Sequence, residues 1–88
     1  MDMISVVIPT LWKYAPLCDF LTQVCVHDHV QDVIIVDNDR SNKPAHDVLL
    51  HDKVTLLDFG QNMFVNSSGN LGVYHAKAPI ICLQKRGY

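Results

Sequence analysis

The sequence ISVVIPT at residues 4–10 and the sequence VIIVDND at residues 33–39 are two β-branched runs that each end in polar residues. Continuous runs of this kind are typical of strands buried on both faces, as in the parallel sheets of α/β proteins. Ligands of open α/β sheets bind outside the carboxyl ends of the strands. The candidate site residues therefore lie where the two runs end, and they are Pro9, Thr10, Asp37, Asn38 and Asp39.

The same alternation of strands and helices extends along the chain. We predict strands at 4–8, 33–36, 54–58 or 59, and 80–83, and helices at about 16–26, 44–50 and 66–77. The third helix is predicted to begin at a cap on Asn66 or Ser67, and to bury Leu71, Tyr74 and Ala78. Every connection is then a crossover. This order predicts one α/β domain over 1–88, a three-layer α/β/α Rossmann-like sandwich with a four-stranded, mostly parallel sheet.

Composition excludes several classes of protein. The 88 residues carry a formal charge of −2, with 7 basic and 9 acidic side chains, and no basic run that would attract nucleic acid. The longest apolar runs are of strand length, so no transmembrane segment is predicted. The three cysteines include no CxxC pair, and Cys18 and Cys25 would share one side of the first helix. We interpret them as buried thiols in the reducing environment of the cytoplasm.

Several features of the candidate site have two interpretations. Asp37 and Asp39 can bind a ligand, or they can bond their own backbone as turn residues after a strand. Trp12 and Tyr14 can stack on a base, or they can cover the loop before the first helix.

The sequence has neither GxGxxG after the first strand nor GxxxxGK[ST], the glycine-rich phosphate loops of dehydrogenases and P-loop enzymes. The five histidines are interpreted as solvated surface residues rather than as a zinc site, and they are His27, His29, His46, His51 and His75.

Together, the segments of this chain resemble the opening part of the inverting family 2 glycosyltransferases, which have the GT-A fold. The resemblance is carried by ISVVIPT at 4–10, VIIVDN at 33–38, VTLL at 54–57, Asn62, NLGV at 70–73, Ala76, and IICL at 80–83. It extends over nearly the whole chain, but over only the first part of a typical member of the family. The resemblance implies a sheet with strand order 3-2-1-4.

The resemblance also implies a ligand and a set of contacts. Pro9, Thr10 and Leu11 would contact the nucleotide of a UDP-, GDP- or dTDP-linked sugar. Asp37 and Asn38 would hold its base or ribose, and Asp39 would also contact the nucleotide. Asn62 and Asn70 would shape the far wall of the site. Members of the family bind Mn²⁺ or Mg²⁺ against the donor diphosphate.

The chain departs from the family pattern at three places. Asn38 and Asp39 stand where many members have Asp and Gly, and Met63 and Phe64 stand where a glycine is common. The fourth strand is followed by QKRGY at 84–88 instead of a DxD-like carboxylate motif. Hard cations need oxygen ligands of that kind. We therefore expect a nucleotide-sugar-binding half without transferase activity, and we predict no catalytic residue and no metal ligand.

An alternative function is a small dimeric α/β interaction module that binds no nucleotide. The fourth strand, 80–83, would form an exposed apolar edge with unpaired backbone groups, and such edges pair readily with another chain. This feature predicts a homodimer through the sheet edge. A flavodoxin-like or response-regulator-like domain has the same alternation, but the acidic pair expected after its first strand is missing.

Overall fold

The computed structural model of the protein describes residues 2–84, except for the side chain of Val65. It contains four strands, β1 (Ile4–Thr10), β2 (Val30–Asp37), β3 (Val54–Asp58) and β4 (Ile80–Leu83). Two α-helices, α1 (Leu17–Cys25) and α2 (Phe64–His75), and two 3₁₀ helices (Arg40–Asn42 and Asp47–Leu50) connect them. The DxD position after the fourth strand falls on residues 84–88, of which only Gln84 lies within the described residues.

The four strands form one parallel sheet with the order β3-β2-β1-β4. The α/β fold class and the strand order 3-2-1-4 are thereby confirmed. The register pairs Thr10 with Asp37 and pairs Asp37 with Asp58. The last residues of three neighbouring strands therefore lie side by side at the carboxyl edge of the sheet.

The apolar runs of β1 and β2 are buried on both faces of the sheet. On one face Val6, Ile8, Val33 and Ile35 form a core cluster with α1. Val48 from the second 3₁₀ helix joins Leu17 and Leu21 of α1 in this cluster.

The opposite face of the sheet packs against α2 at very short range. A Cβ atom built on Gly72 would lie 2.2 Å from Cγ1 of Val7, and one built on Gly69 would lie 3.3 Å from Cδ2 of Leu83. The helix therefore approaches β1 more closely than any residue with a side chain would permit at Gly72. With α1 and α2 on opposite faces, the structure has the predicted three layers.

Several element boundaries differ from the sequence prediction. β1 continues through Thr10, and β2 spans Val30–Asp37, because both strands remain hydrogen-bonded to each other over that length. The predicted second α-helix is a 3₁₀ helix of four residues, in which Nδ1 of His46 accepts a hydrogen bond from the N–H of Val48 at 3.1 Å.

The third predicted helix, α2, begins at Phe64 rather than after a cap at Asn66 or Ser67. Tyr74 is 85% exposed instead of buried, whereas Leu71 is half-buried, and the buried Ala78 lies beyond the end of the helix. The glycine contact at Gly72 sets the rotation of α2 about its axis, and that rotation directs Tyr74 towards solvent.

Cys25 is buried, Cys18 is half-buried, and neither forms a disulfide. Burial raises the pKa of both thiols, and the neighbouring Asp19 raises that of Cys18 further. Between residues 2 and 84, none of the helices is both long enough and apolar enough to cross a lipid bilayer.

Candidate functional site

A cleft of about 300 Å³ opens at the carboxyl edge of the sheet, between the ends of β2 and β3. Parallel strands direct their carboxyl ends and the loops that follow to one edge, so the polar residues after β2 and β3 converge there. The residues that line the cleft are Asp37, Asn38, Asp39, Arg40, Ser41, Asp58, Gly60 and Gln61.

Asp37 is the most buried carboxylate of the cleft, with 2% of its surface exposed. Its Oδ1 accepts two hydrogen bonds, one from Nε1 of Trp12 at 2.7 Å and one from the N–H of Asp39 at 3.0 Å. The second of these is the turn bond expected of an acidic residue after a strand. Within residues 2–84 no hydrogen bond reaches Oδ2, so this oxygen can accept one from a ligand.

The loop after β1 is tied to Asp37 through Trp12. The N–H of Trp12 donates to Oγ1 of Thr10 at 2.8 Å, and its φ of 65° lies in the left-handed region that non-glycine residues rarely adopt. The N–H of Asn38 donates to the carbonyl of Thr10 at 2.9 Å. Thr10 and Trp12 therefore hold the ends of β1 and β2 together beside the cleft.

Asn38 connects the cleft to the start of α2. Its Nδ2 donates to Oγ of Ser68 at 2.7 Å, and its Oδ1 accepts from the N–H of Met63 at 2.9 Å. Asn38 and Ser68 are both buried, so these bonds are shielded from water. Both functions of the Asn38 amide are used to hold α2 against β2.

Arg40 and Asp58 form an ion pair across the cleft. Nε of Arg40 lies 3.0 Å from Oδ2 of Asp58, and Nη2 donates to Oδ1 at 3.1 Å. The N–H of Gly60 also donates to Oδ1, at 2.8 Å. The hydrogen bond from Gly60 is the main cause that lowers the pKa of Asp58, and Arg40 lowers it further.

The structure brings only part of the predicted site together. Asp37, Asn38 and Asp39 line the cleft, whereas Pro9 and Thr10 are buried beneath the sheet edge. Leu11 is half-buried, and its carbonyl accepts from Nδ2 of Asn42 at 3.4 Å.

Asn62 and Asn70 are exposed and do not belong to the lining of the cleft. Oδ1 of Asn62 accepts a hydrogen bond from the N–H of Phe64 at 2.8 Å, which helps to begin α2. Asn70 lies in the middle of that helix. Neither position touches the cleft in this arrangement, and their predicted contacts with a nucleotide stay predictions.

Arg40, Asp58 and Gly60 line the cleft but are not among the site residues predicted from the sequence. The sequence does point to Asp58, because this residue ends the third strand, and ligands of open α/β sheets bind outside the carboxyl ends of the strands. The sequence does not point to Arg40, because a single arginine in a polar loop looks the same in the sequence whether it binds a ligand or is simply solvated.

The histidines lie away from the cleft. His27 and His29 have ring centroids 5.6 Å apart, and Nδ1 of His51 accepts from the N–H of Lys53 at 3.0 Å. In the part of the chain that the structure describes, no group of three or more His, Cys, Asp or Glu side chains is placed to hold a metal ion.

Comparison with known proteins adds no further constraint on the site. No protein-family model matches the chain, and neither a curated protein nor a solved structure matches it.

Proposed function

We propose that the protein binds a nucleotide-diphospho-sugar, with the nucleoside in the cleft between β2 and β3. The observation that supports this proposal most is the carboxylate of Asp37, which is buried, fixed through Oδ1, and left with Oδ2 to accept from a ligand. Ribose hydroxyls and base N–H groups are donors of the required kind. Asp39 follows on the same loop and also lines the cleft, whereas Asn38 lines it with an amide that is already bonded to Ser68 and Met63.

The size and position of the cleft support a small polar ligand. About 300 Å³ is at the lower end of the range for small-molecule sites, and the cleft lies where open α/β sheets bind their ligands. The resemblance to glycosyltransferases of the GT-A fold adds the choice of a UDP-, GDP- or dTDP-linked sugar. Pro9, Thr10 and Leu11 would act by shaping the loop behind Asp37.

The described residues do not fit the Mn²⁺ or Mg²⁺ site of that family. Such ions take several oxygen ligands, and no group of three carboxylate, histidine or cysteine side chains within residues 2–84 is placed to supply them. The proposal is therefore limited to binding of the nucleotide, and it includes no transfer of the sugar.

An amide-resolved NMR titration with UDP, GDP and dTDP, with and without Mn²⁺, tests the proposal. We expect saturable shifts at Asp37, Asn38 and Asp39 with one of the nucleotides. Asp37→Asn keeps an oxygen for Trp12 and replaces Oδ2 by an amide, so it should weaken binding about tenfold while the fold is retained. Asp52→Asn, at the amino edge of the sheet, is the matched control.

Unchanged affinity in Asp37→Asn would contradict the assignment of this carboxylate. A well-folded protein whose amides do not respond to any of the three nucleotides would contradict nucleotide binding itself.

A homodimer is the second candidate function, and one observation favours it. β4 is an edge strand whose described neighbour in the sheet is β1, and its Ile80, Ile81 and Leu83 are 45%, 40% and 37% exposed. Edge strands with apolar, uncharged side chains pair readily with other chains. We propose that two copies pair through β4 around a two-fold axis.

Light scattering at micromolar concentration tests the dimer. The mass expected for two copies is twice the 9.9 kDa of the chain, and Ile81→Lys should reduce it to that of one chain. Val26→Lys introduces the same charge at an exposed site on the end of α1 and should leave the dimer intact. A mass of one chain for the wild-type protein would refute this candidate.

We also propose that the protein is located in the cytoplasm. Cys18, Cys25 and Cys82 are all free thiols, as expected in a reducing compartment. Thiol titration of denatured protein that was purified without a reductant should yield three free thiols per chain.

A further inference from the structure

Arg40 has a distinctive position in the cleft. Among the described residues that line it, Arg40 is alone in being cationic, whereas Asp37, Asp39 and Asp58 are anionic. A phosphorylated ligand would meet strong repulsion from these carboxylates unless a cation lay against its phosphates. The guanidinium is also the group whose planar fork matches two phosphate oxygens at once.

The ion pair with Asp58 is weak enough for Arg40 to exchange this carboxylate for another anion. The Arg40 side chain is 65% exposed, and salt bridges between exposed side chains contribute little to stability. Asp58 would not be left without a partner, because Oδ1 keeps its hydrogen bond from the N–H of Gly60 at 2.8 Å. The carboxylate therefore orients Arg40 over the cleft without holding it strongly.

Gly60 is part of the same arrangement. Its φ of 80° is in the left-handed region, and a Cβ atom at this position would lie 3.4 Å from Nη2 of Arg40. Glycine thus gives the loop after β3 the turn that brings its N–H to Asp58. Asp58, at the end of β3, thus positions the guanidinium of Arg40, which follows β2, at the cleft.

We propose that Arg40 binds the diphosphate of the ligand, and that the phosphates displace Asp58 from the guanidinium when the ligand enters. This proposal rests on the nucleotide-binding function above and adds how the site distinguishes nucleotides from nucleosides. Asp37 and its neighbours recognise the nucleoside, and Arg40 recognises the phosphates. Asp58 acts as a competitor that an incoming phosphate must replace.

Calorimetric titration with UDP, GDP and dTDP, each compared with its own nucleoside, tests the exchange. We expect Arg40→Gln to weaken nucleotide binding about tenfold and to leave nucleoside binding unchanged. Asp58→Asn removes the competing charge, so it should strengthen nucleotide binding several-fold without affecting the nucleoside. Lys43→Gln, which removes a nearby exposed cation outside the lining, should change neither affinity.

The outcomes separate this proposal from the function on which it rests. Nucleotide binding that is unchanged by both Arg40→Gln and Asp58→Asn would overturn the exchange and leave the proposed function intact. Weaker nucleotide binding in Asp58→Asn would overturn the competition between the carboxylate and the phosphates. Absence of binding by every nucleotide and nucleoside would overturn both proposals.

Discussion

Nε1 of Trp12 donates a hydrogen bond of 2.7 Å to Oδ1 of Asp37, and this bond joins the loop after β1 to the end of β2. Trp12 adopts a φ of 65°, a conformation that is unfavourable for a residue with a bulky side chain. The indole bond and the bond from its own N–H to Thr10 hold it there. Residues that are held in such rare backbone conformations cluster at functional sites.

The first prediction concerns this bond. Trp12→Phe removes the indole N–H but keeps an aromatic ring, and it leaves the buried carboxylate of Asp37 with one donor fewer. The free energy of unfolding should fall by about 1–3 kcal/mol, measured by urea denaturation. Tyr14→Phe also removes one polar group from a half-buried ring in the same loop, and it should change stability by less than about 0.5 kcal/mol. Equal losses in the two variants would contradict the role given to the indole.

The second prediction concerns the contact between α2 and β1. In Gly72→Ala, the new Cβ atom would lie 2.2 Å from Cγ1 of Val7, so the helix must move away from the sheet. We expect a loss of about 2–3 kcal/mol in the free energy of unfolding, in spite of the higher helix propensity of alanine.

Gly69→Ala is the matched control for Gly72→Ala on the same helix. Its Cβ atom would meet the end of the flexible Leu83 side chain at 3.3 Å, which can shift by a few tenths of an ångström. Alanine should therefore be nearly neutral or stabilising there, because its helix propensity is about 1 kcal/mol better than that of glycine. If both alanine variants were equally stable, α2 would not pack through Gly72.

The strands could be predicted because their signals are local and repeated, whereas their order in the sheet was implied by the resemblance to the GT-A fold. Val33 to Val36 is apolar at every position, and such a run is stable as a strand only if helices cover both faces of the sheet. The ends of the strands were less visible. Val30 and Asp32 belong to β2, but Gln31 between them is polar and exposed, so the continuous apolar run in the sequence starts only at Val33.

The start of α2 could not be predicted from local capping patterns. Asn66 and Ser67 are good cap residues by type, but the N–H of Met63 donates to the side chain of Asn38, which is 25 residues away. That long-range bond sets the chain direction before Asn66 is reached. The close packing of Gly72 against Val7 likewise has no local signal, and it turns Tyr74 outward.

The candidate site divides in the same way. Asp37 and Asp39 follow from the rule that ligands bind at the carboxyl ends of parallel strands. The pairing of Arg40 with Asp58 depends on the register between β2 and β3, which places Asp37 beside Asp58. No pattern within either segment fixes that register.

The third prediction concerns the pH dependence of stability at Asp58. Folding lowers the pKa of this carboxyl, first through the N–H of Gly60 and then through Arg40. A group with a lowered pKa stabilises the folded state above its unfolded pKa, and that contribution is lost as the pH falls through the folded pKa. Asp58→Asn should therefore be less stable than the wild type near neutral pH, and the difference should shrink in acid.

Urea denaturation of both proteins at a series of pH values from neutral to strongly acidic measures this difference. Asp52→Asn, in the loop before β3, changes an exposed carboxylate and serves as the reference for a change of net charge alone. A difference between Asp58→Asn and the wild type that stayed constant down to strong acid would show that the carboxylate is not stabilised by folding.

The fourth prediction concerns a buried polar contact at the opposite edge of the sheet. Oγ of Ser5 donates to Oδ1 of Asp32 and accepts from the N–H groups of Lys77 and Ala78, at 3.2 and 2.9 Å. One hydroxyl thus joins β1, β2 and the connection to β4. Oδ2 of Asp32 is buried and receives no hydrogen bond from any residue that the structure describes.

Removal of the Ser5 hydroxyl should destabilise the protein more than removal of the Asp32 charge. Ser5→Ala deprives two backbone N–H groups of their acceptor and Asp32 of its donor, so it should lower the free energy of unfolding by about 3 kcal/mol. Asp32→Asn keeps an oxygen for Ser5 and replaces a buried charged oxygen by a neutral amide, so it should lose less than about 1 kcal/mol. Urea denaturation of the two variants decides between them. If Asp32→Asn were the more damaging change, Oδ2 of Asp32 would accept a hydrogen bond in the folded protein. Ser5 would then not be the group that contributes most to the stability of this edge of the sheet.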